Sequence, residues 1–182
     1  MFARSQARSR FPATARAYLP HAMDTERTEE MLPTVISREG RAFYLAQCDA
    51  GRLCSLVDDI LNNDDVLADI TVVKPAATGS IMLQVREPVC EERFFLGDAV
   101  VSTAEVALGD SIGWIARMGT DLRAAMAGAI ADAVLQADRP GLAPHREALL
   151  DLISDTRADL AARRATESGR LAATIVEFEE LD

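Results

Sequence analysis

The stretch from Ala99 to Met118 constrains this chain most. "AVVSTAEVAL" (99–108) and "SIGWIARM" (111–118) both alternate with a period of two, and Gly109-Asp110 lies between them. Period two puts every second side chain on one face of a strand, and a short Gly-Asp link is a hairpin signal. Val100, Ser102, Ala104, Val106 and Leu108 share one face of the first run. Ile112, Trp114, Ala116 and Met118 share one face of the second. A two-stranded hairpin is marginal in water, so another element has to cover it. The following residues read as a helix from a Thr120 cap to about Ala137, with a stripe of Leu122, Met126, Ile130, Ala133 and Val134. Its few charges mean that it is covered, by the sheet or by another chain. Ala124 and Gly128 leave its other side smooth, which permits close backbone approach.

The rest of the chain extends an α+β pattern. Ser37 can N-cap a first helix, Glu39 suits the positive end of its dipole, and Phe43 to Ala46 supply apolar surface. Gly51 breaks that pattern. Leu53, Leu56, Val57, Ile60 and Leu61 then recur at helical spacing, and "NNDD" (62–65) ends the second helix as a polar loop. "ADITVV" (68–73) is β-branched and stops at Lys74-Pro75, and "SIMLQVRE" (80–87) alternates up to Pro88. These four runs predict a four-stranded, mainly antiparallel sheet. Pro144 opens a long helix to about Glu167, with Leu149, Leu152, Ile153, Thr156 and Leu160 inward and Gly169 interrupting it. "ATIVEFEEL" (173–181) reads as a final strand. The expected organisation is one domain over 37–182, preceded by an extension over 1–36.

Composition limits the partners. The chain of 182 residues carries a net charge of −10, which repels polyanions and argues against nucleic acid as the main partner. Residues 1–22 hold four arginines and no acid, which leaves −14 on the remainder. That basic, acid-free start resembles a transit peptide or an over-long start site, and disorder is expected there. No uncharged apolar run approaches the ~18 residues a membrane span needs. Three cysteines, Cys48, Cys54 and Cys90, with no CxxC, fit reduced thiols in a soluble, cytoplasmic protein.

The chemistry of a self-contained active site is missing from the sequence. His21 and His145 have no partner at metal-ligand spacing. Asp58, Asp59, Asp64 and Asp65 lack the Gly and trailing Glu of a calcium loop, so a helix end and a turn account for them better. Cys90 is followed by Glu91 and Glu92, whose charge disfavours a thiolate. No P-loop or GxGxxG is present, and Asp98 and Glu105 fall on opposite strand faces. "ERFFLGD" (92–98) remains. Its two phenylalanines read either as core residues under a loop or as anchors of a partner-docking loop, since aromatic and Arg residues dominate interface hot spots. Sequence physics leaves both readings open.

From Thr78 onward the chain resembles the G subunit of the bacterial carbon–phosphorus lyase core complex, the PhnG family. The residues that carry the resemblance are "TGSIMLQVRE" (78–87), "ERFFLGDAVVSTAEVAL" (92–108), Gly113-Trp114, Gly119 and "AMAGAIADAV" (125–134). It covers about 37–180. The chain departs from the family pattern at Phe43-Tyr44, where relatives usually carry Trp-Met. It departs again at "AATIVEFEEL", where Ile175 replaces a basic residue and Glu179 an aromatic one. The resemblance implies a supporting subunit that assembles with the H, I and J subunits. With the I subunit as catalyst, that set displaces adenine from MgATP by a phosphonate to give ribose 1-phosphonate 5-triphosphate. It implies no catalytic residue, metal or cofactor held by this chain alone, MgATP being used by the complex. The docking candidates are then Glu92, Arg93, Phe94, Phe95, Gly97 and Asp98, with Thr103 on the next run. The competing expectation is an acidic adaptor that oligomerises through the Ala/Gly-rich helix.

Overall fold

A computed structural model describes residues 37–62, 64–87 and 90–172. Two layers form the fold: a three-stranded antiparallel sheet in the order β1-β2-β3, and helices on one of its faces. Helix α1 (Arg38–Gln47) starts where predicted, with the Ser37 hydroxyl accepting from the Gly40 amide at 3.2 Å. It ends at Cys48, and Asp49 immediately caps α2 (Ala50–Leu61) by accepting from the Arg52 amide at 2.8 Å. The break therefore falls at Cys48-Asp49, and Gly51 lies inside α2 instead of ending the pattern. Leu53, Cys54, Val57 and Ile60 are the buried stripe of α2. "NNDD" is not one loop: Asn62 caps α2, and a short helix α3 (Asp64–Asp69) follows.

The sheet corrects the predicted strand count. Residues 68 and 69 belong to α3, and the two expected strands at 68–73 and 80–87 are one strand, β1 (Ile70–Arg86). Register shifts between Val72 and Lys74 and between Lys74 and Ala77 let it run through Pro75. Proline has no amide hydrogen to give to a ladder, and β1 is an edge strand in which bulges absorb the loss. β2 (Arg93–Leu108) is central and twice as long as β3 (Ser111–Met118). The predicted Gly109-Asp110 hairpin joins them, with Gly109 at φ +56°. β3 pairs with Val101 to Leu108 only, so the other half of β2 has a neighbour on one side alone.

Helix α4 (Leu122–Gln136) lies against β2 and β3 and is capped by Asp121, one residue later than expected. From Ala124 to Leu135 every residue except Met126 is buried, while Leu122 is exposed. The smooth Ala/Gly surface is thus consumed inside the chain, by the sheet and by α1 and α2, and does not present a face to a second copy. Close approach runs through Gly113 of β3, whose Cα sits on the Ala129–Ala133 backbone, and through Gly128, which meets the Ile115 side chain. The inward face of β3 is Gly113, Ile115 and Arg117; Ile112, Trp114 and Met118 look out to solvent. Helix α5 (Ala143–Ala172) follows the 3-10 turn Pro140–Leu142. It spans about 45 Å at 1.5 Å per residue. It buries Leu149, Leu152, Ile153 and Thr156, then projects with residues 161–170 all exposed. Gly169 does not interrupt it. The strand expected over 173–181 and the extension over 1–36 lie outside the described residues.

Two buried polar side chains tie the layers together. Asp132 of α4 is 1 % exposed and accepts from the Trp114 amide at 3.1 Å, Arg38 at 3.1 Å and Gln136 at 3.0 Å. Arg117 reaches across to α1, where it donates to the Leu45 and Cys48 carbonyls. Those carbonyls close the last turn of a helix, where backbone acceptors are orphaned and the dipole favours a cation. Asp132→Ala is expected to cost about 2–3 kcal/mol, because it strands the Trp114 amide and takes the acceptor away from the Arg38 guanidinium and the Gln136 side-chain amide. A shift in urea midpoint at unchanged m would register it.

Candidate functional site

Beyond the end of β3 the sheet narrows to two strands. Ser80 to Arg86 of β1 pair there with Val100 to Arg93 of β2, and no third strand or helix among the described residues pairs with them. "RFFLGD" is part of this ribbon, so the loop expected at 92–98 is a correction: only Glu92 precedes the strand. Phe94 is half exposed, and Phe95 and Leu96 are 64 % and 63 % exposed. Three successive apolar residues in a strand cannot all face one side, and here neither side has a core to bury them. The core reading of Phe94 and Phe95 is thereby removed.

Gly97 sits at a bulge. The register steps from Leu83↔Gly97 to Gln84↔Phe95, which leaves Leu96 as the extra residue. Gly97 takes φ +153°, a conformation that L side chains rarely adopt. The bulge turns apolar side chains to both faces of the ribbon. Cross-strand, Met82 stands opposite Asp98 and Ile81 opposite Ala99; Met82 is 71 % exposed. Ile81, Met82 and Leu96 were not among the sequence candidates. The signal that marks them is the FFL run together with the alternation of 80–87.

Charge gathers at the ribbon's far end. Arg86 and Arg93 are direct cross-strand partners, a like-charge pairing that costs stability. Arg86 is compensated by Glu91 at 3.3 Å; Arg93 has no ion pair among the described residues. The Glu87 amide donates to the Glu92 carbonyl at 2.8 Å, and the Cys90 amide to a Glu87 carboxylate oxygen at 2.5 Å. Thr103 is not part of this site. It lies in the three-stranded region, paired with Ala77 and Ala116, some 26 Å along the strand from Phe95 at ~3.3 Å per residue.

The thiols divide cleanly. Burial pushes the Cys48 and Cys54 thiols up, Cys48 despite its contact with Arg117, whereas Cys90 is exposed. Iodoacetamide at pH 8 is expected to add one label to the native chain and three after denaturation, with Cys90 carrying the native label; intact mass and peptide mapping check it. Asp58 is engaged by Arg123 at 2.7 Å, as a helix-end residue would be. Among the described residues no group of three His, Cys, Asp or Glu side chains lies close enough to hold a metal ion, and no helix is long and apolar enough to cross a membrane.

The family model of the phosphonate metabolism protein PhnG matches residues 36–181. The chain belongs to the PhnG family. The match takes in every element described above, the ribbon included, and it assigns this PhnG chain a role in phosphonate metabolism. For a PhnG protein, the feature that the packed core does not explain is the ribbon: its Phe94, Phe95, Leu96 and Met82 stay exposed and do not join the core.

Proposed function

We propose that this PhnG chain is a supporting subunit of the carbon–phosphorus lyase core complex and docks on its I subunit through the β1–β2 ribbon. The complex, with its H and J subunits, displaces adenine from MgATP by a phosphonate, giving ribose 1-phosphonate 5-triphosphate. In this reading the chain holds no reacting group of its own. It positions or completes the I subunit, and the assembly works in the cytoplasm. The observation that carries the proposal is the ribbon itself: contiguous exposed Phe94, Phe95 and Leu96, with Met82 across the strand and an unpaired Arg93 beside them among the described residues. Aromatic and Arg side chains are the residue types that anchor interfaces, and an exposed apolar patch on a folded domain marks an interaction site. The adaptor reading loses its dimer face, because α4 is covered within the chain.

The test is co-expression with the I-subunit homologue, size exclusion, and an adenine-release assay with MgATP and methylphosphonate. Co-elution, with ribosyl phosphonate formed only when this chain is present alongside any other required subunits, is the expected result. Separate elution, or full transfer without this chain, overturns it.

A further inference from the structure

The docking role above concerns side chains; the backbone of the ribbon carries a second feature. Both edges of the sheet are exposed to new strand pairing in principle, and most of their length is blocked. On β3 the Ile112 carbonyl accepts from Arg38 at 2.8 Å and Gln136 at 2.9 Å, and the Trp114 amide donates to Asp132 at 3.1 Å. Three side chains therefore occupy the edge groups that an incoming strand would need. On β1 the segment near the core carries Lys74, Pro75 and two register shifts, each of which spoils a regular ladder. From Ser80 to Leu83 no such device is present among the described residues; the shift between Leu83 and Gln84 comes from the extra residue Leu96 on β2, and the next charge along β1 is Arg86. The segment pairs in unbroken register with β2 as far as Leu83, contains no proline, has no charge before Arg86, and shows Ile81 and Met82 to solvent.

We infer that the free edge of β1 from Ser80 to Arg86 accepts one extended strand from a different protein chain, turning the two-stranded ribbon into a three-stranded sheet. This rests on the docking reading of the ribbon and adds its backbone mode. Main-chain hydrogen bonds supply the pairing, and Ile81 and Met82 offer apolar contacts to alternate side chains of the guest. Three strands also cure the marginal stability of an isolated hairpin. Charge selects the guest. Arg93 faces Arg86 across the ribbon and has no carboxylate among the described residues, so the guest strand brings an acidic residue to that end. A second copy of this chain fits poorly. Two-fold pairing of the same edge would set the arginine end of one copy beside Gly79 and Ser80 of the other. Along β1 the nearest charge beyond them is Lys74, which pairs with Glu105 of β2 at 2.5 Å, and Asp98 stands opposite Met82 on β2, one strand further from that contact.

Amide-resolved hydrogen exchange on the isolated chain and on its complex with the I-subunit homologue tests the inference. Edge pairing slows alternate amides within 80–86 by at least tenfold, while the amides between them, already bonded to β2, change little. Slowing without alternation, or perturbation confined to 93–98, overturns edge pairing and leaves side-chain docking intact. Absence of any complex overturns both. A pair of variants gives an independent reading: successive amides point to opposite edges, so only one of Ile81→Pro and Met82→Pro removes an outward amide. That one is expected to keep the β1–β2 ladder and lose at least 100-fold in affinity. Full binding by both variants overturns the inference. Association of the free chain through this edge, seen as a dimer by sedimentation and lost in the same variant, would overturn the choice of a different chain as guest.

Discussion

Gly113→Ala is expected to destabilise this protein by about 3 kcal/mol or more, the upper end of what overpacking a core costs. A Cβ at Gly113 would overlap the Ala129 carbonyl oxygen and the Ala133 amide nitrogen of α4, and would stand 2.8 Å from the Ala133 Cβ. The first two are backbone atoms inside a helix and cannot rotate away as a side chain would. Relief requires moving α4 off the sheet, and α4 is the element on which the sheet and α1 and α2 converge. Displacing it also loosens the Asp132 bond to the Trp114 amide, one residue from the substitution. Gly128→Ala is the control. Its Cβ would meet only the Ile115 side chain, at 3.1 Å, which can adjust by a few tenths of an ångström. A urea midpoint far lower for Gly113→Ala than for Gly128→Ala supports the account; equal midpoints would contradict it.

The double variant Phe94→Ala/Phe95→Ala is expected to abolish partner binding with almost no effect on the fold. Truncating a well-seated aromatic anchor costs about 2 kcal/mol or more, so two of them amount to roughly a hundred- to a thousandfold in affinity. The same truncation in a core would cost about 3–5 kcal/mol of stability per residue. Surface truncations stay within about 0.5 kcal/mol. Exposure of both rings places them in the second class. Thermal unfolding of the variant within a degree or two of the parent, together with loss of co-elution with the I subunit, is the expected pattern. Coincident loss of stability and binding would return both rings to a structural role. Arg93→Ala should weaken binding less and reduce its salt dependence, because a rim charge acts mainly on association.

Much of the fold was legible because its signals are local. The Ser37 cap, the hairpin at Gly109-Asp110 and the low-charge helix that follows the hairpin depend on residues a few positions apart; the first two stand where the sequence placed them, and the helix is capped one residue later, by Asp121. The strand count was misread for a physical reason. Pro75 and Gly79 look like breaks, and nothing in the local sequence says that β1 is an edge strand whose bulges tolerate them. Of the site, Arg93 to Asp98 were found as a segment. Their cross-strand neighbours Ile81 and Met82 were not, since pairing joins residues a dozen or more positions apart in register that the sequence does not state.

By itself, then, the sequence determined the alternating hairpin, the helix that must cover it, and the family to which they belong. Those depend on periodicity, turn chemistry and the order of motifs along the chain. The tertiary structure alone decided which faces are buried. Ile112, Trp114 and Met118 share a strand face in the sequence and prove to be the solvent face, because α4 packs on Gly113 and Ile115, where a side chain is absent or fits. Phe94 and Phe95 are exposed for a similar reason. β3 has eight residues and β2 sixteen, so burial stops where the third strand and the helix layer end, whatever the hydrophobicity of the residues beyond.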